Sequence, residues 1–300
     1  MKMRWSLLVL ISLLCAINAV SKEIVFFSAR QKGEDVWSWS GARIKKSGSV
    51  LRIYEKDREH NYGDVYVPQS FPYLPEARLR INVKTIESGT YTVQALCMSG
   101  KSHFDTVNLI NDSTTLGATD VSLSDYNFPE MTDNIILKIW VGGQEGAAMQ
   151  LNNFEYFLPL DAFKIVLDDP LDQLPEEEKP SNADVDMHPH GLKMVLEQDS
   201  SYGALVLDGT HHRTTTDYLL INIPACRGRV SVQLAAFNAE GEYLGAVDLI
   251  KDVTSGWHGR PLHTLQWPKG TLQFRVKLWL SGNADAFAVF SRLLLLHDTR

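Results

Sequence analysis

A Lys and a Trp stand two residues apart twice in this sequence, in KIWVGG at 138–143 and in KLWLSG at 277–282. On an extended backbone, residues two apart share a side, so Lys138 lies beside Trp140 and Lys277 beside Trp279. Gln94 and Gln233 sit in a second matched pair of stretches, YTVQALC (91–97) and VSVQLAA (230–236). An indole face packs on the apolar C–H face of a pyranose, while amide and ammonium donors reach its hydroxyls. Gln94, Lys138 and Trp140 in one place, and Gln233, Arg275, Lys277 and Trp279 in another, therefore have the chemistry of a saccharide platform. The competing use of a repeated Trp is structural: covering a sheet edge, packing under a loop or meeting a sister domain.

Reactive constellations are weaker. Glu55, Asp57 and Glu59 in EKDRE alternate, which puts three carboxylates on one side of a strand. Retaining glycoside hydrolysis needs two carboxyls about 5 Å apart. Here the intervening residues are Lys56 and Arg58 and a turn-like HNYG follows, so a charged, solvated hairpin end is expected. The counterpart EQDSS (197–201) lacks the last carboxylate. His188, His190, His211, His212, His258, His263 and His297 crowd the second half. Imidazole suits zinc or copper, but Pro189 makes HPH a loop, and no carboxylate or third His stands at a ligand-like spacing; surface histidines are expected. The His, Tyr and Arg of a polysaccharide lyase are present as residue types, without a motif. Cys97 falls at a core strand position, and Cys226 lies in PACRGR, whose arginines would lower a thiol pKa but bring no partner base. No G-x-S-x-G elbow, P-loop or dinucleotide fingerprint occurs. A non-catalytic protein is favoured over an enzyme.

The elements that must position these side chains repeat once. YTVQALCMSGKSHFDTVNLINDSTTLG (91–117) aligns with VSVQLAAFNAEGEYLGAVDLIKDVTSG (230–256), setting Gln94 on Gln233 and Asp112 on Asp252. Phe128-Pro129 meets Trp267-Pro268, Tyr62-Gly63 meets Tyr202-Gly203, and Ile81-Asn82-Val83 meets Ile221-Asn222-Ile223. The unit is far longer than the roughly 20–50 residues of a solenoid repeat, so it reads as a duplicated domain. Period-two runs such as RLRINV (78–83) and QFRVKLWL (273–280), separated by Gly, Asn, Asp and Ser clusters, predict short strands and an all-β fold. In both Trp strands the wholly apolar side must be the core side, because an unpaired Lys is almost never buried. That places Lys138, Trp140, Lys277 and Trp279 on outer faces. The stretch 168–186 holds three prolines and the acidic run 176–178 and reads as a linker. The expected organisation is a leader at 1–19, a β-sandwich at 24–167, the linker at 168–186 and a second β-sandwich at 187–300.

The VxVQxxxxN strand, the Phe/Trp-Pro segment, the xxLxLWLxG strand and the closing LNNFEYF strand (151–157) together resemble the jelly rolls of carbohydrate-binding modules and galactose-binding-like domains. The resemblance covers both copies and implies tandem sandwiches that bind glycans on a sheet face or at loop tips. The loop-tip candidates it implies are Trp37, Trp39 and Tyr62, and in the second copy Tyr202, His211, His212, Arg213, Trp257 and His258. A structural calcium is left open. Ser291-Arg292 replaces Asn152-Asn153 in the second copy, a departure that argues against a shared calcium or turn role at those positions.

MKMRWSLLVLISLLCAINA has two basic residues, a short apolar run and small residues at its end, the layout of a secretory signal peptide. The formal charge of −7 becomes more negative when Lys2 and Arg4 leave with it. An acidic chain argues against nucleic acid and anionic membrane surfaces as partners, and no second long apolar run calls for membrane insertion after cleavage. Cys97 and Cys226 occupy non-equivalent places in the repeat and are expected to be two thiols. The expected protein is secreted or periplasmic, needs no cofactor, and binds an extracellular polysaccharide or other glycan. The alternatives are a structural component that meets an envelope protein, and a lyase or hydrolase.

Overall fold

The computed structural model describes residues 23–30, 34–56, 61–176 and 179–300. The leader at 1–19, and Asp57 and Glu59 of the acidic run, lie outside them. The described residues form antiparallel strands punctuated by three one-turn 3-10 segments, with no helix long and apolar enough to cross a membrane. The fold is an all-β sandwich, as the alternation anticipates.

In the first half, strand Ala148–Pro159 centres one sheet. Arg78–Ser88 pairs along one edge, while Val50–Glu55 and Glu23–Ser28 share the other. The facing sheet runs in the order Ser38–Ser40, Tyr62–Tyr66, Asn134–Gly142, Thr90–Ser99, Ser102–Ser113. The second half follows the same plan. Tyr202–Val206, Gln273–Ser281, Arg229–Phe237 and Tyr243–Val253 form the Trp-bearing sheet. Its opposite layer is split: Asp217–Ile223 and Ala225–Arg227 belong to different sheets, as do Phe287–Phe290 and Arg292–Asp298. The break falls at Pro224, which has no N–H to give to a ladder, and at Ser291, whose backbone N–H is donated to the Asn222 carbonyl outside either sheet.

The alternation does what its pattern requires. Ile135, Leu137, Ile139 and Val141 point inward and are buried, as are Phe274, Val276, Leu278 and Leu280. Each such side chain contributes about 1.5–3 kcal/mol by leaving water, so a register slip of one residue would expose the whole set. Register is fixed locally by turns. Thr90–Ser99 returns as Ser102–Ser113 through the two residues Gly100 and Lys101, and Gly100 takes φ +57, the first position of a primed hairpin turn.

Two expectations are corrected here. The stretch 168–186 does not join the halves. Residues 163–169 form a strand paired with Arg292–Asp298, in the place that Glu23–Ser28 holds against Ala148–Pro159. Residues 183–188 pair with Gly191–Leu196. The three prolines lie in a loop within the second half, and the chain passes between halves at 160–162. Proline-rich composition marks the absence of a ladder, and it does not distinguish a loop from a linker. The arginines near Cys226 also fail to lower its thiol pKa. Burial pushes it up, against a smaller opposing effect of Arg229, and burial raises Cys97 likewise. The two thiols are separate.

The halves are packed together. Phe163, Tyr218, Leu220, Leu294 and Leu296 of the second half join the apolar core of the first. Trp257 meets Phe26 edge-on at 6.0 Å, Arg260 pairs with Asp133 at 3.2 Å, and Arg300 pairs with Glu76 at 2.6 Å. Gly256, at φ +125, lets the Gln69 side chain lie against its backbone.

Candidate functional site

The site is built on the central strands of the two Trp-bearing sheets. Asn134–Gly142 pairs with Thr90–Ser99 so that Lys138 stands opposite Gln94, and Gln273–Ser281 pairs with Arg229–Phe237 so that Lys277 stands opposite Gln233. All four, with Trp140 and Trp279, lie half-buried on the outer faces.

The same clamp holds both indoles. Trp140 Nε1–H donates to Gln94 Oε1 at 2.5 Å, and Trp279 Nε1–H to Gln233 Oε1 at 2.7 Å. Each Gln amide then donates to the next strand, at Asn108 Oδ1 in the first half and Asp248 Oδ1 in the second, both 2.8 Å. Lys138 Nζ lies 4.1 Å from the Trp140 ring centroid and Lys277 Nζ 4.2 Å from that of Trp279, within cation–π range. Tyr62 and Tyr202 tilt against the two indoles at 5.5 and 6.2 Å, and are 54% and 53% exposed.

A β-bulge ends each face. Pairing shifts between Tyr91 and Val93 and between Val230 and Val232. The extra residues put Asp112 and Asp252 at φ +41 and +52. Their backbone N–H groups donate to Thr92 Oγ1 and Ser231 Oγ, both at 3.0 Å. Asp tolerates this left-handed backbone better than most residues, and a bulge re-aims side chains at a sheet margin. Around the first bulge lies an open groove of about 270 Å³, lined by Tyr62, Trp140, Thr90, Asn108, Asn111 and Asp112 among others. In the second half a cavity of about 200 Å³ is lined by Gln233, Phe237, Tyr243, Arg275 and Lys277. Both are smaller than the roughly 300–1,000 Å³ of ordinary enclosed ligand pockets. They are shallow recesses of aromatic, amide and charged groups.

The halves differ beneath the Lys. Asp64, only 4% exposed, pairs with Lys138 at 3.4 Å, and burial holds its carboxyl above the usual range while Lys138 pulls it back. Ala204 stands opposite Trp279 where Asp64 stands opposite Trp140.

The sequence-based candidates divide. Trp140, Trp279, Lys138, Lys277, Gln94, Gln233 and Arg275 sit on the outer faces, with Tyr62 and Tyr202 joining the indoles. The two Gln side chains, however, spend both ends within the clamp, so they orient the indoles and are not open donors. Trp37 is 3% exposed and packs among Phe27 and Phe154, so it is a core residue. Trp257 is half-buried against Phe26 between the halves. His258 is 4% exposed, donates from Nε2–H to the Thr254 carbonyl at 2.9 Å, and has its pKa pushed down to about 4 by burial. Neither is an open loop-tip contact. His211 packs on Phe274 at 5.4 Å and its pKa is lowered by burial, while the Arg213 guanidinium covers Trp267 at 5.1 Å. His212 and Trp39 are exposed. Glu55 is not solvated: it is buried, and its Oε2 accepts the Gly146 N–H at 2.8 Å, anchoring a loop. Among the described residues no group of three or more His, Cys, Asp and Glu is placed to hold a metal ion. Thr92, Ser231, Asn108, Asp248, Asp112 and Asp252 escaped the sequence reading as site residues. Their signal was their joint recurrence in the repeat, at spacings from the Gln that agree to within one residue.

Together these features define the class: an antiparallel β-sandwich protein with an aromatic, amide and ammonium clamp on the outer face of each half. No family model matches the chain, and no curated protein does. Solved structures with detectable likeness include a fucolectin from striped bass (Morone saxatilis) serum, at 6% identity and TM-score 0.25, covering 93% of this chain and 95% of that one. Allantoicase from Saccharomyces cerevisiae follows at 10% identity and TM-score 0.26, covering 91% and 89%. The glycoside hydrolase domain of Endo-D from Streptococcus pneumoniae matches at 10% identity and TM-score 0.28, and this chain spans only 37% of its length. At such low scores these likenesses carry no argument about function.

Proposed function

We propose that this protein binds a glycan without catalysis, using the outer faces around Trp140 and Trp279. The observation that supports this most is the clamp itself. Two indoles on outer faces are fixed in one orientation by the same Gln, Lys and Tyr, beside shallow polar recesses. A purely structural Trp needs burial and one partner for its N–H, and these rings hold more groups than that at the surface. The Lys covers one ring face, so a sugar ring reaches the indole from the Tyr side or displaces the ammonium. The chain is then exported, secreted or periplasmic, by way of the leader at 1–19, and its halves descend from one duplicated galactose-binding-like unit. Two weak sites on one frame raise apparent affinity by about 10²–10⁴ where both reach one polymer.

Titrating intrinsic Trp fluorescence with a panel of neutral and acidic polysaccharides tests the proposal. A saturable change with at least one member, reduced in Trp140→Ala and in Trp279→Ala, is expected. Silence across the panel removes the support.

A second reading has one specific observation in its favour. Tyr243, Leu244 and Leu272 are large, exposed and apolar at one end of the second Trp sheet, where Leu272 N–H bonds to the Phe237 carbonyl. Such a patch suits a protein partner, for example in a cell envelope. Light scattering that rises with concentration, and stops rising in Leu244→Ser/Leu272→Ser, would favour it.

A further inference from the structure

The two grooves are not chemically equal. The first is lined by Thr90 and Asn111. The register that sets Gln94 on Gln233 and Asp112 on Asp252 puts Arg229 in the place of Thr90 and Lys251 in that of Asn111. These two cations line a separate cavity of about 650 Å³ between the halves. Its first-half wall includes Lys101 and Asp133, and its second-half wall includes Asp252 and Arg260.

The charges do not cancel. Asp133 is occupied: Oδ1 pairs with Arg260 at 3.2 Å, and Oδ2 accepts the Gly100 N–H at 3.3 Å. Lys101, Arg229 and Lys251 are exposed, and among the described residues that line the cavity they face one remaining carboxylate, that of Asp252. His258, in the cavity wall, stays neutral because burial disfavours its charged form. A positive cleft is therefore set into a chain whose formal charge is −7, and a concave surface concentrates such a field.

We propose that the cleft between the halves binds an oxyanion carried on a saccharide, the carboxylate of a uronate or a sulfate ester, through Arg229, Lys251 and Lys101. Arg229 offers the planar fork that matches an oxyanion, and the two Lys act as point charges. The saccharide carrier rests on the glycan reading above; the anion site does not.

The test uses the full chain and three polymers: oligogalacturonate, a sulfated galactan and neutral galactan. Binding is measured by calorimetry at low and at raised salt. The variant is Arg229→Thr with Lys251→Asn, the residues that the first half carries and folds with. The expected result is that a charged polymer binds more tightly than neutral galactan, weakens with salt, and loses about tenfold for each cation removed. Neutral galactan is unaffected by the swap. The arm that binds more tightly, carboxylate or sulfate, names the source of the anion. Equal affinities for charged and neutral polymers, or anion binding unchanged by the swap, overturn the proposal. Trp140→Ala/Trp279→Ala separates the two ideas, because it removes neutral-glycan binding and leaves the salt-sensitive anion binding in place.

Discussion

Replacing Lys138 with Met should cost far more than replacing Lys277 with Met, although the two Lys make the same contact with their Trp. The shared contact is an ammonium about 4 Å above an indole, worth about 0.5–1 kcal/mol at a part-exposed site. Lys277→Met should cost only that. Lys138→Met also strands Asp64, whose carboxylate is nearly buried and pairs with Lys138 at 3.4 Å. Breaking a buried pair costs about 3–5 kcal/mol. Lys138 is itself part-exposed and the contact is longer than a strong charge-assisted bond, so about 2–3 kcal/mol is the reasonable total. The sign with pH follows from burial, which already holds the Asp64 carboxyl above its usual value, an effect Lys138 opposes. A carboxyl whose folded pKa is raised is favourable to folding while protonated, and that contribution is lost as pH rises from the unfolded value through the folded one. Without Lys138 the folded value rises further, so the penalty should be small near pH 4 and full at pH 7. Urea unfolding of both variants at these two pH values measures it. Adding Asp64→Ala to Lys138→Met removes the stranded carboxylate, leaving the small residue that Ala204 supplies in the second half, and should recover all but the lost ammonium–indole contact. Equal costs for the two Lys variants, or a Lys138→Met cost that does not change with pH, would show that Asp64 does not depend on Lys138.

Three further outcomes follow from the same geometry. Gly256→Ala should destabilise by about 1–2 kcal/mol in denaturant unfolding, because φ +125 is strained for Ala and a Cβ would lie 2.0 Å from Gln69 Nε2; adding Gln69→Ala should recover only part. Asp252→Ala should cost about 1 kcal/mol at φ +52, while Asp252→Gly should be near neutral. Because burial pushes His258 down to about 4, its contribution is present above the ordinary His value of 6.5 and is lost as pH falls toward 4. Thermal melts should therefore fall by the equivalent of about 2–4 kcal/mol between pH 7 and pH 4, with a shallower slope in His258→Gln.

The fold was legible because burial imposes period two on a strand. Ile135, Leu137, Ile139 and Val141 had to face inward once Lys138 was granted a wet side, and that logic placed both indoles. The recurrence of Gln94 as Gln233 pointed at the neighbouring strand, since two side chains that recur together keep a shared partner. What escaped is what depends on three dimensions. Nothing in the local sequence distinguishes Trp37, in the core, from Trp39, at an exposed edge two residues away. Trp257 and His258 look like a loop tip, but they lie in a strand paired with Asp217–Ile223, and Phe26 of the other half packs on Trp257. The stretch 168–186 has a linker's composition, but its first residues complete a strand whose partner, Arg292–Asp298, is more than a hundred residues away. Arg229 and Lys251 gained meaning only when the halves met.

Calorimetric stoichiometry with a short neutral oligosaccharide that binds the wild-type protein is the most direct test of two glycan faces on one chain. Two sites per chain are expected, one in either Trp140→Ala or Trp279→Ala, and none in the double variant. Undiminished binding in the double variant would contradict the assignment of both faces.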